Sequence, residues 1–236
     1  MGTEFITIPT FGDAEGARHF FGTRGAPEDL SNSCRPAPRA VVSVKQVHGT
    51  DALVLDRPIE EGETFPGGWD ALVTNQPRTL VTVRTADCVP VLIHDPARGV
   101  VSAVHAGWRG AVAGIVPRTL SLMQRQFRSE PRSLRVGIGP SVGACCYEVD
   151  EPVLEKLRAS FPDWKAVARE ASAGKAWLDL RALVRLQAQA AGVLPDRIGH
   201  VNVCTVCHPE LFYSYRREGQ VNATMVSGIM LAGRRK

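Results

Sequence analysis

Short apolar runs dominate the first half of the chain, and each is bounded by glycine, proline, aspartate or asparagine. Brief apolar segments that end at turn-forming residues are typical of β-strands. Several of these runs are apolar at successive positions instead of alternating, which indicates strands covered on both faces. The pattern predicts strands at residues 41–44, 52–55, 71–74, 80–84, 89–94 and 100–105.

Helical spacing of apolar residues appears mainly after these strands. Pro117 is expected to begin or kink the first helix, and Glu151 and Pro152 suit the first turn of the second. Asp179 is a suitable N-cap for the third helix, which should stop at Gly192. The predicted helices span residues 110–128, 151–161 and 180–191. Later strands are predicted at residues 134–138, 200–203, 211–215 and 225–231.

Strands and helices alternate along the chain without a linker-like segment. A chain of 236 residues is long enough for one large domain or two small ones. We therefore predict one α/β domain (mixed α+β) that spans residues 1–236 around a mixed β-sheet.

Composition narrows the class of protein. The chain has 28 Lys+Arg and 24 Asp+Glu, a net charge of +4, with 44% hydrophobic and 22% charged residues, which is ordinary for a globular protein. Basic residues cluster at 125–135, 216–217 and 234–236 without interleaved aromatics, so we expect no nucleic-acid partner. No apolar run is long enough to span a membrane, and no basic start precedes an apolar stretch, so we expect no membrane partner and a cytoplasmic location.

Three segments concentrate reactive side chains where strand-like runs end: KQVHGTD at 45–51, TADCVP at 85–90 and VHAGWRG at 104–110. Ligands of α/β sheets collect at such strand ends. His48, Cys88 and His105 are suitable zinc ligands, and three protein ligands plus water give a catalytic site with hydroxide available near neutral pH. Each of these residues also has an ordinary interpretation as a satisfied core side chain, and their spacing alone does not decide between the two.

Five segments in order, KQVHGTD, TADCVPVLI, VHAGWRG, GIGPSVGACCYEV and LFYSYRRE, resemble the YfiH family over residues 20–231. This family is also known as the laccase-domain, polyphenol-oxidase or purine nucleoside phosphorylase family. The resemblance implies a three-layer fold with a mixed sheet and a zinc ion held by His48, Cys88 and His105.

The resemblance also implies phosphorolysis of adenosine, inosine, guanosine and methylthioadenosine, and deamination of adenosine. Zinc deaminases pair the metal with an acidic group that moves protons, and Asp87 is the candidate here. A structural role for the Asp87 carboxylate is equally open, because neighbours on an extended strand point to opposite faces. Guanidinium groups suit phosphate, and we predict substrate contacts from Arg24, Gln46, Arg109 and Arg216.

Other functions remain open at this stage. Cys88 and His105 are suitable as the nucleophile and base of a cysteine hydrolase or amidase, for example in peptidoglycan-precursor editing. Copper is a possible occupant of the triad in vitro, with polyphenol oxidase activity, but the six histidines are too few for a blue-copper centre plus a trinuclear cluster. A purely structural zinc would need a fourth ligand, such as His94 or Cys146. We expect a monomer or homodimer.

The remaining motifs are assigned ordinary roles. GIGPSVG at 137–143 is followed by Cys145 and Cys146 instead of a helix, so it fails as a dinucleotide fingerprint and is expected to be a rim loop with a packed cysteine pair. CTVCH at 204–208 resembles a haem attachment motif, and a CxxC redox pair or a second metal site is an alternative, but two buried thiols at Cys204 and Cys207 are the default expectation. Residues 26–40 are shorter than in relatives, which predicts a more open site if this loop covers the substrate.

Overall fold

Two β-sheets account for most of the strands in the structure, a computed structural model that describes residues 3–12, 16–60 and 62–233. The basic cluster predicted at 234–236 lies outside the described residues. The strands are β1 (Phe5–Ile6), β2 (Ala17–Gly22), β3 (Ala40–Val42), β4 (Ala52–Leu55), β5 (Ala71–Thr74), β6 (Thr79–Thr85), β7 (Val89–Asp95), β8 (Val100–Ala106), β9 (Arg135–Ile138), β10 (Glu148–Asp150), β11 (Ala168–Ser172), β12 (Lys175–Leu178), β13 (Ile198–His200) and β14 (Met225–Leu231).

The strands of the described chain divide among three sheets. One has five strands in the order β1-β2-β14-β6-β3, one has six in the order β13-β9-β7-β8-β5-β4, and a small one has three in the order β10-β12-β11. The two larger sheets are mixed, because β4 pairs with β5 and β3 with β6 in parallel while β7 pairs antiparallel with β8 and β9. The predicted mixed α/β class is confirmed.

The six-stranded sheet is buried on both faces, which explains the continuous apolar runs. In β7, Val91 and Ile93 belong to the core beneath the helices, whereas Leu92 packs into the core shared with the five-stranded sheet. In β8, Val104 belongs to the core beneath the helices, and Ala103 belongs to the core shared with the five-stranded sheet. The result is three layers: helices, six-stranded sheet and five-stranded sheet.

The helices are α1 (Trp108–Val112), α2 (Ile115–Phe127), α3 (Glu151–Ser160), α4 (Leu180–Ala190) and α5 (Tyr215–Glu218). None of the helices in the described ranges is long and apolar enough to cross a membrane. Asp179 caps α4 as predicted, with its side chain accepting a hydrogen bond from the Ala182 amide. The single helix predicted at 110–128 is wrong: Gly114 adopts φ 82° and separates α1 from α2, and Pro117 lies in the first turn of α2.

Two predicted strands near the C-terminus are also wrong. Residues 211–214 form no strand, because their backbone groups are bound locally: the Phe212 amide donates to the His208 carbonyl, and the Tyr213 amide donates to the Met225 sulfur. The strand expected at 200–203 ends at His200 as β13. At 211–213 these bonds take the place of ladder hydrogen bonds to a neighbouring strand.

The sequence pattern missed several short strands. β11 carries the letters AREAS and is exposed at all but its first residue, so it lacks the apolar signal of a buried strand. The 26–40 segment makes its described contacts with the five-stranded sheet. It places Leu30 and Cys34 against Phe20, Leu80 and Met230 of the five-stranded sheet.

Burial makes one histidine sensitive to acid. His94 near the end of β7 is only 1% exposed, and it lies opposite Val101 and Arg135 in the neighbouring strands. Burial lowers the pKa of His94 to about 4; the charge of Asp95 opposes this shift, and those of Arg135 and His19 add to it. The folded protein therefore keeps His94 neutral at pH values where the unfolded chain binds a proton.

The consequence is a loss of stability between pH 6.5 and 4 that depends on this side chain. The folded pKa is depressed, so the contribution is complete above the unfolded pKa and falls as the pH drops toward the folded value. Between pH 7 and pH 5 we expect His94 to reduce the free energy of unfolding by about 2 kcal/mol. Urea titrations should show this loss in the native protein and in the control His200→Asn, which changes an exposed histidine, but not in His94→Asn. An equal loss in His94→Asn would contradict the assignment.

Candidate functional site

The candidate site forms where strand ends of the six-stranded sheet meet. Cys88 lies in the turn between β6 and β7, and His105 is the penultimate residue of β8. The antiparallel register pairs Pro90 with His105, so the start of β7 and the end of β8 are adjacent. His48 arrives on the connection between β3 and β4.

These three side chains converge. Nitrogen atoms of His48 and His105 and the sulfur of Cys88 all lie within 4.8 Å of one another. The two imidazole rings are 4.7 Å apart between centroids and nearly perpendicular, at 81°. His105 is buried at 2% exposure, whereas His48 is exposed, so the group opens to solvent on one side. Two imidazoles and a thiolate at this spacing are suitable ligands for a metal ion.

Asp70, which directly precedes β5, connects both histidines. Its carboxylate accepts a hydrogen bond from His105 Nδ1 at 2.7 Å, which leaves Nε2 of that ring for a ligand. The same carboxylate accepts from the backbone amides of Val47, His48 and Gly49 at 3.2, 2.9 and 2.7 Å. One buried acid therefore orients one ligand ring and fixes the loop that carries the other.

The loop at His48 is locally strained and tightly packed. His48 adopts φ 60°, a left-handed conformation that costs a non-glycine residue about 1 kcal/mol or more. The three amides bound by Asp70 offset this cost. A Cβ at Gly110 would lie 2.6 Å from the Gly49 carbonyl oxygen, so α1 approaches this loop at a distance that only glycine permits.

Hydrogen bonds within the group shift the pKa values of Cys88 and His105. Burial raises the pKa of the Cys88 thiol, but hydrogen bonds and charge from His105 and His48 outweigh burial and lower it to about 7. Burial lowers the pKa of His105, but Asp70 and Cys88 outweigh burial and raise it to about 9. The pair therefore favours a thiolate beside a protonated imidazole. The thiolate is the form of cysteine that binds metals, and His105 would release its Nε2 proton when a metal binds.

Aromatic and cationic side chains line a cavity near the group. A cavity of about 280 Å³ is lined by residues that include Trp108, Tyr147 and Arg216. The Arg216 guanidinium lies 5.0 Å from the centre of the Tyr147 ring, and that of Arg109 lies 4.5 Å from Trp108. Burial raises the pKa of Tyr147 to about 12, and the charge of Cys88 adds to it while Arg216 and Arg109 oppose it. Tyr147 in the wall of this cavity therefore lies within electrostatic range of Cys88.

Asp87 has a structural environment. Its two carboxylate oxygens accept hydrogen bonds from Thr205 Oγ1 at 2.5 Å, from Ser214 Oγ at 3.0 Å and from the Arg216 amide at 2.6 Å. It is buried at 8% exposure. Of the two roles left open by the sequence, these contacts favour the structural one, in which Asp87 holds residues 205–216 against the turn that carries Cys88.

Two predicted substrate residues make contacts within the protein. The side-chain amide of Gln46 pairs with the Arg84 backbone, donating to its carbonyl and accepting from its N–H at 2.8 Å each. Arg24 donates to the Pro209 carbonyl and lies 4.7 Å from the centre of the Tyr213 ring. The described contacts of Arg24 and Gln46 do not reach the metal-ligand group. Arg216 lines the cavity near that group, and Arg109 contacts Trp108, which also lines it.

Sequence reasoning missed Asp70 and Tyr147. The sequence signal for Asp70 is a single acidic residue directly before an apolar strand. The structure buries every residue of that strand, 71–74. Neither predicted fourth ligand joins the group in the described residues: His94 lies six residues along β7 from Cys88, about 20 Å away for an extended chain. Cys146 instead approaches other cysteines.

The expected packing of these other cysteines is wrong in part. Cys145 and Cys207 are exposed and Cys146 is half-buried, while Cys204 is buried as predicted. The loops after β9 and β13 bring the four cysteines together, with Cys204 on the buried side.

Comparison with known proteins identifies the family. The family model for the multi-copper polyphenol oxidoreductase laccase matches residues 27–232. The chain belongs to this family. It is 36% identical over 201 residues to the Geobacillus stearothermophilus protein named purine nucleoside phosphorylase YlmD, covering 83% of this chain and 72% of that one.

Two further relatives are informative. A protein from an unknown prokaryotic organism, named adenosine deaminase RL5, is 36% identical over 195 residues, covering 80% of this chain and 74% of that one. The crystal structure of the Bacillus licheniformis hypothetical protein YfiH matches with a TM-score of 0.84 at 26% identity, covering 98% of this chain and 97% of that one. The predicted YfiH membership and fold are confirmed.

Close packing at Gly107 provides a test of the group. A Cβ there would lie 2.7 Å from His48 Cδ2 and 3.1 Å from the Cys88 sulfur. Gly107→Ala should therefore displace both ligands and weaken zinc binding at this group about 10-fold or more, as expected for altered ligand orientation. Competition with a chromophoric chelator measures the affinity. The control is Gly25→Ala, whose Cβ would meet nothing closer than 3.6 Å. Native affinity in Gly107→Ala would refute this account of the packing.

Asp70 provides a second test. Asp70→Asn keeps the size of the side chain but loses the charge and half of the accepting capacity that His105 and the loop amides require. We expect zinc affinity to fall about 10- to 100-fold, the range typical of a lost ligand-orienting carboxylate. The matched control is Asp51→Asn, at an exposed position nearby. Equal effects of the two substitutions would show that orientation by Asp70 is unimportant.

Proposed function

We propose that this protein is a zinc-dependent enzyme of purine nucleosides. Its reactions would be phosphorolysis of adenosine, inosine, guanosine or methylthioadenosine, and deamination of adenosine. The observation that carries the proposal is the convergence of His48, Cys88 and His105 at the spacing of metal ligands. A nearby cavity has Trp108, Tyr147 and Arg216 in its wall, together with the carboxylates of Glu148 and Asp150. The names of the relatives support the same chemistry. A cytoplasmic location remains a prediction from the sequence.

The ligand group fits zinc. Two imidazole nitrogens and one thiolate are ligands that zinc prefers, and three protein ligands leave a position for water or substrate. Zinc bound there would supply Lewis acidity and lower the pKa of a water molecule. Copper also binds imidazole and thiolate, so it is a competing occupant in vitro. The ring of His105 is already oriented toward the group by Asp70.

A multicopper oxidase mechanism does not suit this chain, despite the description of its family. Such a mechanism requires a blue-copper centre with two histidines and a cysteine plus a trinuclear cluster held mostly by histidines. The chain has six histidines, at positions 19, 48, 94, 105, 200 and 208. His94 is buried in β7, and the described histidines form one metal-type group, which contains His48 and His105.

The residues around the cavity suit a nucleoside and phosphate. Tyr147 and Trp108 offer flat apolar surfaces for a purine, and their rings already stack with the cations of Arg216 and Arg109. Those guanidinium groups are suitable for binding phosphate through paired N–H donors. In phosphorolysis a phosphate oxygen bonds to ribose C1′ while the bond from C1′ to the purine breaks, and the departing purine takes up a proton. The arginines would hold the phosphate for this attack.

One observation favours a second candidate, a cysteine hydrolase or amidase. Asp70, His105 and Cys88 form a chain of acid, imidazole and thiol, which is the arrangement of a nucleophile with its oriented base. Alkylation separates the two functions. A thiolate bound to zinc resists iodoacetamide until a chelator is added, whereas a free catalytic thiol reacts at once.

The test of the proposed function is product analysis with adenosine. Protein purified without chelator should produce inosine without phosphate if it deaminates, and adenine with phosphate if it cleaves the nucleoside. Hypoxanthine with phosphate indicates both steps in series. Cys88→Ser should reduce every product to the level of a protein-free blank, because it removes a metal ligand.

The matched control is Cys34→Ser, which changes a buried cysteine packed on the five-stranded sheet. It should retain the native products. No product above the blank from native, zinc-loaded protein with any of the four nucleosides would overturn the proposal, and equal products from native protein and Cys88→Ser would remove the proposed site.

A further inference from the structure

A second group of metal-type ligands lies outside the site described above. The sulfur atoms of Cys145, Cys146, Cys204 and Cys207 all lie within 4.8 Å of one another. The first two follow β9, and the others follow β13. We propose that these four cysteines form a structural zinc site with four thiolate ligands.

The distances between sulfur atoms fit a shared metal ion. Cys207 Sγ lies 3.4 Å from that of Cys146 and 3.7 Å from that of Cys145. Ligands at 2.3 Å on a tetrahedron are about 3.8 Å apart, whereas the atoms of a disulfide are about 2.05 Å apart. Tetrahedral sets of four sulfurs select zinc or iron. The spacing of Cys204 and Cys207, with two residues between them, is also typical of structural zinc sites.

The backbone around Cys204 is arranged to stabilise negative charge on its sulfur. The Gly143 amide donates a hydrogen bond to Cys204 Sγ at 3.2 Å. Val206 and Cys207 contribute further backbone hydrogen bonds to the same sulfur. At metal sites, hydrogen-bond donors around a ligand atom commonly orient that atom and stabilise its negative charge. The amides around Cys204 Sγ are placed to do the same. Three amide donors on one sulfur are not expected if Cys204 is a thiol that only packs in the core.

The two loops are already held together by the backbone. Ser141 and Cys204 form a parallel bridge, in which the Thr205 amide donates to the Ser141 carbonyl at 3.0 Å. The ligands from both loops are therefore positioned before a metal binds. Binding would release a proton from each thiol still protonated and would change no oxidation state.

Two guanidinium groups border the loop that carries Cys204. Arg181 donates to the carbonyls of Val201 and Val203 at 3.4 and 3.2 Å. Arg217 donates to those of Thr205 and Val206 at 2.8 and 3.2 Å. Four thiolates and one zinc(II) ion carry excess negative charge, and these cations offset it.

The proposed zinc site would support the turn that carries Cys88. Thr205, next to Cys204, donates to the Asp87 carboxylate, and the Val142 amide donates to the Asp87 carbonyl at 3.0 Å. Both loops of the cysteine group thus contact Asp87, the residue before Cys88. Zinc bound by the four cysteines would hold both loops in the position from which they bind Asp87, and it would do so without contacting substrate.

Metal analysis of single chains tests the proposal. Protein produced with zinc and purified under reducing conditions without chelator should contain about two zinc ions per chain if both groups bind one each. Cys145→Ser/Cys207→Ser changes the two exposed ligands and should lose one zinc ion. Cys88→Ser should lose the other, so failure of the proposed active site and failure of the cysteine site give different results. Cys34→Ser, outside both groups, should retain the native content.

Spectroscopy identifies the ligands by a measurement that does not require the double variant to fold. Cobalt(II) loaded into Cys88→Ser should give intense visible bands and the near-ultraviolet charge transfer of four thiolates. Cys88→Ser, which keeps only the four-cysteine group, should lose thermal stability when stripped of metal, whereas Cys88→Ser/Cys145→Ser/Cys207→Ser should melt at one temperature with or without zinc.

Three results of the metal analysis would overturn the proposal. They are a native protein with zinc in only the group of Cys88, an unchanged metal content in Cys145→Ser/Cys207→Ser, and iron in place of zinc. A disulfide among the four cysteines, found by peptide mass analysis of protein kept under reducing conditions, would likewise exclude it.

Discussion

A single buried carboxylate determines the geometry of the candidate site. Asp70 binds the ring of His105 and three successive amides of the loop that carries His48. Without this acid, the imidazole would be free to rotate, and the left-handed backbone at His48 would lose the hydrogen bonds that offset its cost. Two ligands that are far apart in the sequence depend in this way on one residue that need not bind the metal.

The two-sided core of the six-stranded sheet makes this arrangement rigid. β7 and β8 are buried along their whole length, and their antiparallel register positions Cys88 next to His105. Asp70 enters from β5, the neighbour of β8, so its carboxylate reaches His105 directly. His105 therefore lies on a fully buried strand, and Cys88 and His48 lie in a turn and a loop held against it.

The sequence predicts the sheet more accurately than the site. Continuous apolar runs such as 89–94 identify buried strands because burial on both faces imposes that pattern, whereas the exposed letters of β11 carry no such signal. The resemblance brought His48, Cys88 and His105 together, but spacing alone could not, because the pairing of β7 with β8 determines which residues meet. Asp70 escaped prediction for the same reason, because its partners lie on distant segments. The sequence left a second metal site open at Cys204 and Cys207, but it did not indicate that Cys145 and Cys146 join them.

The same turn links the two groups of ligands, since Asp87 contacts the loops of both cysteine pairs and precedes Cys88. The central claim is that Asp70 prepares His48, Cys88 and His105 to share one metal ion. Diffraction at the zinc absorption edge, from crystals of unchelated protein, tests it most directly. The account predicts an anomalous peak bonded to both imidazoles and the Cys88 sulfur, with the contact between Asp70 and His105 Nδ1 intact. Zinc-loaded crystals with no peak among these three side chains, or with His105 turned away from Asp70, would contradict it.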